Sequence, residues 1–265
     1  MTPLDWIDTQ FLSFNTLLLL EREQLSWFPG WLDEASLGLA LHANPVVGWY
    51  MRHKCPEIAA WVDEICQRTK ANLPASPERI RQAELHVLGQ INDLLVYAVD
   101  PGIYDALPFT RWDSQELSGL TNWTDKLVID VGAGTGRLAF VAAEAGARAV
   151  FAVEPVGNLR NYIRQKVLKL GLKNIYPLDG LITQLPFPDD FVDITMGGHV
   201  FGGKPQAEYA EMARVTKPGG MLILCPGSSE GETAAHDYLL SQGFEWSWFE
   251  EPGDGMKRKY WKVKA

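Results

Sequence analysis

The chain has 265 residues, 46% of them hydrophobic, and a formal net charge of −9 at pH 7. This is the length of one large domain or of a domain with a sizeable extension, and the composition is that of a globular protein with a core, which excludes a disordered chain. The charge is uneven: the part through Asp125 holds 8 Lys/Arg against 17 Asp/Glu and the rest 16 of each, so no nucleic-acid partner, which would need a basic face, is expected.

Thr2-Pro3 predicts an N-cap and first helical residue, with Leu4, Ile7, Phe11, Phe14 and Leu18 following at helical spacing. Leu17 to Leu20 is a short apolar patch, and no run is long enough to span a bilayer, so no membrane partner is expected. The start has no basic stretch leading to an apolar run and cleavage site, which predicts a cytoplasmic protein. Ile58, Trp61, Val62, Ile65 and Cys66 make a second stripe, and Ser76-Pro77 opens a helix carrying Ile80, Val87, Ile91, Leu94 and Ala98, stopped at Asp100-Pro101-Gly102. Cys55, Cys66 and Cys225 sit at no metal-like spacing and read as reduced core thiols; no metal site is expected. The region 1–116 is therefore expected to be a helical N-terminal cap or lid.

From Lys126 the rhythm changes. Val128 to Val131 reads as a buried strand and Leu138, Val141, Ala142 and Ala145 as the inner side of a helix. A second strand spans Ala149 to Val153, and the next helix carries Leu159, Tyr162, Ile163, Val167 and Leu170. Strands follow at Asn174 to Leu178 and Phe191 to Met196, then a helix at Gln206 to Val215. Lys217-Pro218-Gly219-Gly220 turns into a strand at Met221 to Cys225. Such alternation predicts an α/β, Rossmann-like, mainly parallel sheet over 117–265. After a short helix at His236 to Ser241, Phe244 to Phe249 and Lys259 to Val263 read as a hairpin, so the seven-stranded sheet is expected to end antiparallel.

The most informative stretch is V-I-D-V-G-A-G-T-G, Val128 to Gly136. Gly132, Gly134 and Gly136 turn the chain from strand into helix and let a ligand lie against bare backbone at positive φ, where the N–H groups of the helix start favour an anionic group. Arg137 stands where a dinucleotide fingerprint would carry its third glycine. Asp130 suits a ligand with a cationic amine. Asp130, Glu154 and Asp179 occupy successive strand ends, the usual ligand edge of an open parallel sheet. Glu154 can accept from two ribose hydroxyls, and Asp179 from an adenine amino group.

The segment Lys126 to Gly227, through V-I-D-V-G-A-G-T-G, A-V-E-P, L-D-G, L-P-F-P-D-D-F-V-D-I and R-V-T-K-P-G-G-M-L-I-L, resembles class I S-adenosylmethionine-dependent methyltransferases of the ubiquinone- and menaquinone-biosynthesis kind. The resemblance implies S-adenosylmethionine as cofactor and methyl transfer to a small-molecule acceptor. It implies that Asp130, Gly132, Ala133 and Gly134 line the methionine end, that Glu154 holds the ribose, and that Pro155 or Val156 packs on the adenine. Asp179 and the Gly180 backbone would read the adenine edge, and Met196 would close the site at strand four.

The loop after that strand, M-G-G-H-V-F-G-G, carries neither an Asp/Asn-Pro-Pro-aromatic tetrapeptide nor clustered metal ligands. His199 is the candidate general base; the other reading is a strand-end histidine bonded to backbone. The aromatic stretch Tyr97 to Asp113 is either a lid, with Tyr97, Tyr104, Arg111 and Trp112 closing the site and Arg111 reaching the methionine carboxylate, or a hydrophobic linker. Two other functions stay open: a nicotinamide-dependent oxidoreductase, which shares the sheet and Glu154 but not the glycine spacing, and a non-catalytic S-adenosylmethionine-binding or partner-docking protein.

Overall fold

A computed structural model describes residues 6–265; the expected helix start at Thr2, Pro3 and Leu4 lies outside the described residues. The chain divides into two compact units, the first ending at Tyr104 and the second running from Asp105 to Ala265.

Among the described residues the first unit is helical, built on Glu34–Ala43, Pro45–Lys54, Ala59–Thr69, Pro77–Gln90 and Asn92–Val99. Their apolar stripes meet in one core that includes Leu37, Val62, Ile65, Val87 and Leu95. The expected single helix through Phe11, Phe14 and Leu18 is instead two 3₁₀ turns, Thr9–Phe11 and Phe14–Leu19. Asp8 and Ser13 cause the difference: their side chains accept from Gln10 N and Asn15 N and restart the chain twice. Phe14 is buried, whereas Phe11 is 90% exposed. Ser76 caps the Pro77–Gln90 helix as expected, its hydroxyl accepting from Arg79 N. That helix stops at Ile91 and a new one starts at Asn92. The Asn92 side chain holds the N-terminal segment, accepting from Trp6 N and Ile7 N and donating to Ile7 O. No helix among the described residues is long and apolar enough to cross a membrane.

The second unit is a seven-stranded sheet of β1 (Leu127–Val131), β2 (Ala149–Val153), β3 (Ile175–Leu178), β4 (Val192–Gly197), β5 (Thr216–Leu224), β6 (Glu245–Glu251) and β7 (Gly255–Val263), in spatial order 3-2-1-4-5-7-6. Strands β1 to β5 are parallel; β7 lies antiparallel between β5 and β6. The Rossmann-like, mainly parallel sheet with an antiparallel end is therefore the observed fold. One face buries Val128, Val150, Ile194 and Ile223 against Ala139, Ala142 and Ile163 of the helices Arg137–Glu144 and Gly157–Leu170. The other buries Ile129, Val131, Leu222 and Leu224 with Met212 and Leu239 of Pro205–Val215 and Thr233–Ser241. The Lys217–Gly220 turn falls inside β5, where the register with β4 shifts between Val192 and Ile194. Cys225 belongs to the first of these cores, and burial pushes its thiol up to about 12.

The units divide at Tyr104/Asp105, ahead of the expected boundary between 116 and 117. The residues between those points bond into the sheet unit. Asp105 accepts from Tyr162 Oη and Lys166 Nζ at 3.0 and 2.9 Å, and Lys259 Nζ is paired with Glu116. Trp112 is 3% exposed and packs edge-on to Phe249 with ring centroids 5.7 Å apart. Trp112→Ala is expected to cost about 3–5 kcal/mol in the unfolding of this unit, the range for truncating a buried aromatic. Urea denaturation followed by tryptophan fluorescence measures it, and a negligible loss would show that the segment is only draped on the sheet.

Candidate functional site

The β1 strand delivers the chain into the glycine turn. Gly132, Gly134 and Gly136 have φ of +63°, +55° and +87°, a region that L residues with a Cβ avoid. At Gly132 space adds a second restriction, because a Cβ would lie 2.6 Å from Val200 Cγ2. Val200 follows His199 in the loop after β4, so that loop is packed directly on the glycine turn. Ala133 is buried and ties the turn to β2 by donating from its N–H to Val153 O at 3.1 Å.

Glu154 connects the ends of the strands. One carboxylate oxygen accepts from Gly134 N and the other from Val156 N, each at 2.9 Å. The group is 5% exposed, and burial raises its pKa to about 7 against the opposing effect of those two bonds. Asp130 is buried beneath the turn, and its carboxyl accepts from Ala139 N at 2.9 Å, capping the first turn of the Arg137–Glu144 helix. Burial raises its pKa to about 8, with the Ala139 bond opposing and the Glu154 charge adding. Around the turn, Gly136 N donates to Ala133 O, and the Gly134 and Ala139 N–H groups meet carboxyl oxygens.

Pro155 is half-buried and Val156 buried beside Glu154. Asp179 is exposed at the end of β3, its carboxylate held by Arg160 Nη1 at 2.9 Å. The same nitrogen donates to Glu154 O at 2.6 Å, so Arg160 clamps the β2 and β3 ends together. Gly180 is needed by close approach, because a Cβ there would meet Val153 Cγ1 at 2.8 Å. Met196 is fully buried in the sheet core, where it pairs with Asp130 and Ile223.

Of the four lid candidates, Trp112 and Arg111 fall in different surroundings. Trp112 is a core residue, and its carbonyl accepts from Arg137 Nη2 at 2.6 Å while the guanidinium lies 4.6 Å from the indole centre. Arg111 is exposed and donates to Ala106 O at 3.0 Å. Arg137 was given no role by sequence reasoning beyond standing where a glycine would have been. Its Nε is buried with no hydrogen-bond partner among the described residues.

His199 has φ +54°. Its N–H donates to Pro226 O at 3.0 Å, and its Nε2 lies 2.8 Å from Glu251 Oε1. Glu251 ends β6 and is 1% exposed. Sequence reasoning does not reach this contact, or that of Arg160 with Glu154 and Asp179, since no local pattern connects positions 52 apart in the chain.

Comparisons with known proteins relate part of the chain to methyltransferases. Residues 128–220 match the family model described as a methyltransferase domain. A demethylmenaquinone methyltransferase of Geobacillus kaustophilus is 35% identical over 120 residues, which are 43% of this chain and 50% of that one. A histone-arginine methyltransferase CARMER of Drosophila persimilis is 27% identical over 146 residues, 53% of this chain and 27% of that one. The chain thus spans half or less of the length of these curated relatives. Among solved structures, one from the complex between the Haloferax volcanii Trm112 methyltransferase activator and the putative methyltransferase aligns at a TM-score of 0.51 and 17% identity. That match covers 66% of this chain and 96% of that one, and it supports the fold alone. Over residues 128–220 this chain is thus similar to a methyltransferase domain.

Proposed function

We propose that the protein transfers the methyl group of S-adenosylmethionine to a small-molecule acceptor. The observation that carries this reading is the arrangement of carboxyl groups at the glycine turn. A dinucleotide places a pyrophosphate on the N–H groups of a helix start. Here Asp130 caps Ala139 N and Glu154 takes Gly134 N, so a pyrophosphate would meet two carboxyl groups. A ligand with no phosphate, a cationic amine and two vicinal hydroxyls suits the same donors and acceptors. This favours S-adenosylmethionine over a nicotinamide dinucleotide.

In this reading Gly132, Ala133 and Gly134 line the methionine end, and Glu154 accepts the ribose hydroxyls with the lone pairs its backbone bonds leave free. Pro155 and Val156 pack on the adenine, with Asp179 and Gly180 at its edge. Asp130 and Met196 act from beneath, one by capping the helix and the other by filling the sheet. Arg111, exposed on its 3₁₀ turn, is the cation offered to the methionine carboxylate. The bound cofactor supplies an already electrophilic methyl, so the protein contributes chiefly by positioning the acceptor. A small acceptor is favoured by the demethylmenaquinone methyltransferase relative, which is the more similar of the two curated proteins. His199, in the loop after β4, is the general base in this reading.

Calorimetry should give S-adenosylhomocysteine binding with NAD far weaker, and preferential NAD binding would overturn the assignment. Glu154→Ala should weaken S-adenosylhomocysteine binding roughly tenfold to a hundredfold or more, at about 1.5–3 kcal/mol for a charge-assisted bond. An unchanged dissociation constant would leave Glu154 as a structural bridge only.

The buried carboxyl groups also predict a pH dependence of stability. Asp130 has a folded pKa raised above its unfolded value, so its contribution is present in full below the ordinary carboxylate range and is lost as pH rises through about 8. Asp130→Asn, which mimics the protonated form, should therefore gain stability relative to the parent chain between pH 5 and pH 8, measured in urea. A difference independent of pH would show that Asp130 is ionised throughout.

A further inference from the structure

We propose that Arg160 is the positioning residue for the cofactor base and makes the site selective for a purine with a 6-amino group, an inference that rests on the S-adenosylmethionine reading above. Arg160 stands at the end of the first turn of the Gly157–Leu170 helix. The helix macrodipole opposes a cation there, and no acidic residue in that turn compensates for it. Packing of the helix does not call for it either. Leu159, Ile163 and Val167 are the buried residues, and Arg164, one turn on, donates to Pro177 O of β3 at 3.4 Å. The Arg160 side chain is nevertheless only 17% exposed, an ordering that costs rotamer freedom.

Two acceptors hold it. Nη1 donates to Glu154 O at 2.6 Å and to Asp179 Oδ1 at 2.9 Å. The parallel register pairs Val153 with Leu178, so Glu154 and Asp179 leave β2 and β3 side by side. Glu154 N already joins these strand ends by donating to Leu178 O at 3.0 Å. What the guanidinium adds is an orientation for Asp179. That side chain is 76% exposed, and the terminal torsion of an aspartate is otherwise broad. Arg160 also faces Glu154, where burial raises the carboxyl to about 7 and the Arg160 charge is among the effects opposing that rise. One cation thus serves the carboxylates assigned to the ribose and to the base.

A fixed carboxylate reads a base differently from a mobile one. An ionised carboxylate accepts hydrogen bonds and cannot donate. Adenine offers a donor in its 6-amino group and an acceptor at N1. Hypoxanthine, its deaminated counterpart, reverses both, with an acceptor at the 6-oxo oxygen and a donor at N1–H. A carboxylate free to turn can follow the donor from the 6-position to N1. With Oδ1 engaged by Arg160, Asp179 keeps Oδ2 as the acceptor for a ligand and cannot make that adjustment. Discrimination between the two bases then depends on Arg160, which itself touches neither.

Calorimetry on the full chain tests this by comparing S-adenosylhomocysteine with its deaminated analogue, S-inosylhomocysteine. The parent chain should prefer the adenine ligand by about tenfold or more, the value of one hydrogen bond lost. Arg160→Gln should reduce that ratio about threefold or more, the size of an ion pair solvated on its aspartate side. Arg160→Lys, which keeps a cation at the position, should restore part of it. Asp179→Asn, at an exposed position, should remove the preference, because an amide both donates and accepts. Both ligands are titrated into one preparation, so a loss of stability in a variant cancels from the ratio, and a purely structural clamp would weaken the two equally. Equal affinities in the parent chain, or a ratio that Arg160→Gln leaves unchanged, overturn the proposal while cofactor binding stands. A parent chain that binds neither ligand counts against the S-adenosylmethionine reading itself and removes this one with it.

Discussion

Glu154 accepts one backbone N–H from the glycine turn and another from the chain leaving β2, and the other features of the site depend on that pair of bonds. They hold two loops from adjacent strands at fixed spacing and draw a carboxylate into a place where it is 5% exposed. Arg160 secures the far side by joining Glu154 O to Asp179, so three successive strand ends become one connected edge. The bridge restrains glycines at positive φ, a residue type that loses more conformational freedom on folding than any other.

The same bonds decide the electrostatics. Burial raises the pKa of both Asp130 and Glu154, and a neighbouring carboxylate adds to it in each case, Glu154 for Asp130 and Asp179 for Glu154. The turn therefore presents acceptors where a phosphate-binding loop would present donors. This constraint separates the site from a dinucleotide pocket more sharply than the glycine spacing does. On the opposite wall, the loop after β4 meets the turn through Val200 and Gly132.

The parts of this structure set by local pattern were legible in the sequence. Strand–helix alternation after Lys126, the glycine turn and the carboxylates at the β1, β2 and β3 ends are short-range features written in periodicity and spacing. Bonds between distant positions were not. Glu251 reaches His199 only because β7 inserts between β5 and β6 and carries the end of β6 to the sheet's ligand edge. Lys259 reaches Glu116 across 143 positions, a bond that ties the segment after Tyr104 to the sheet unit. Trp112 illustrates a different limit, for a tryptophan in an aromatic linker reads equally as lid or as core, and only its 3% exposure and its contact with Phe249 separate the two. In the first unit, hydrophobic spacing alone did not register that Asp8 and Ser13 would bond to nearby N–H groups and break a helix into 3₁₀ turns.

The central claim is that the Glu154-bridged glycine turn is the S-adenosylmethionine site. Backbone amide NMR during titration with S-adenosylhomocysteine tests it directly, because the Gly134 and Val156 N–H groups are the ones Glu154 holds. The account predicts that the largest shifts fall on Gly132 to Gly136, Glu154 to Val156 and Asp179 to Gly180, and that NAD at the same concentration leaves them in place. Shifts confined to other residues, or a matching response to NAD, would contradict it.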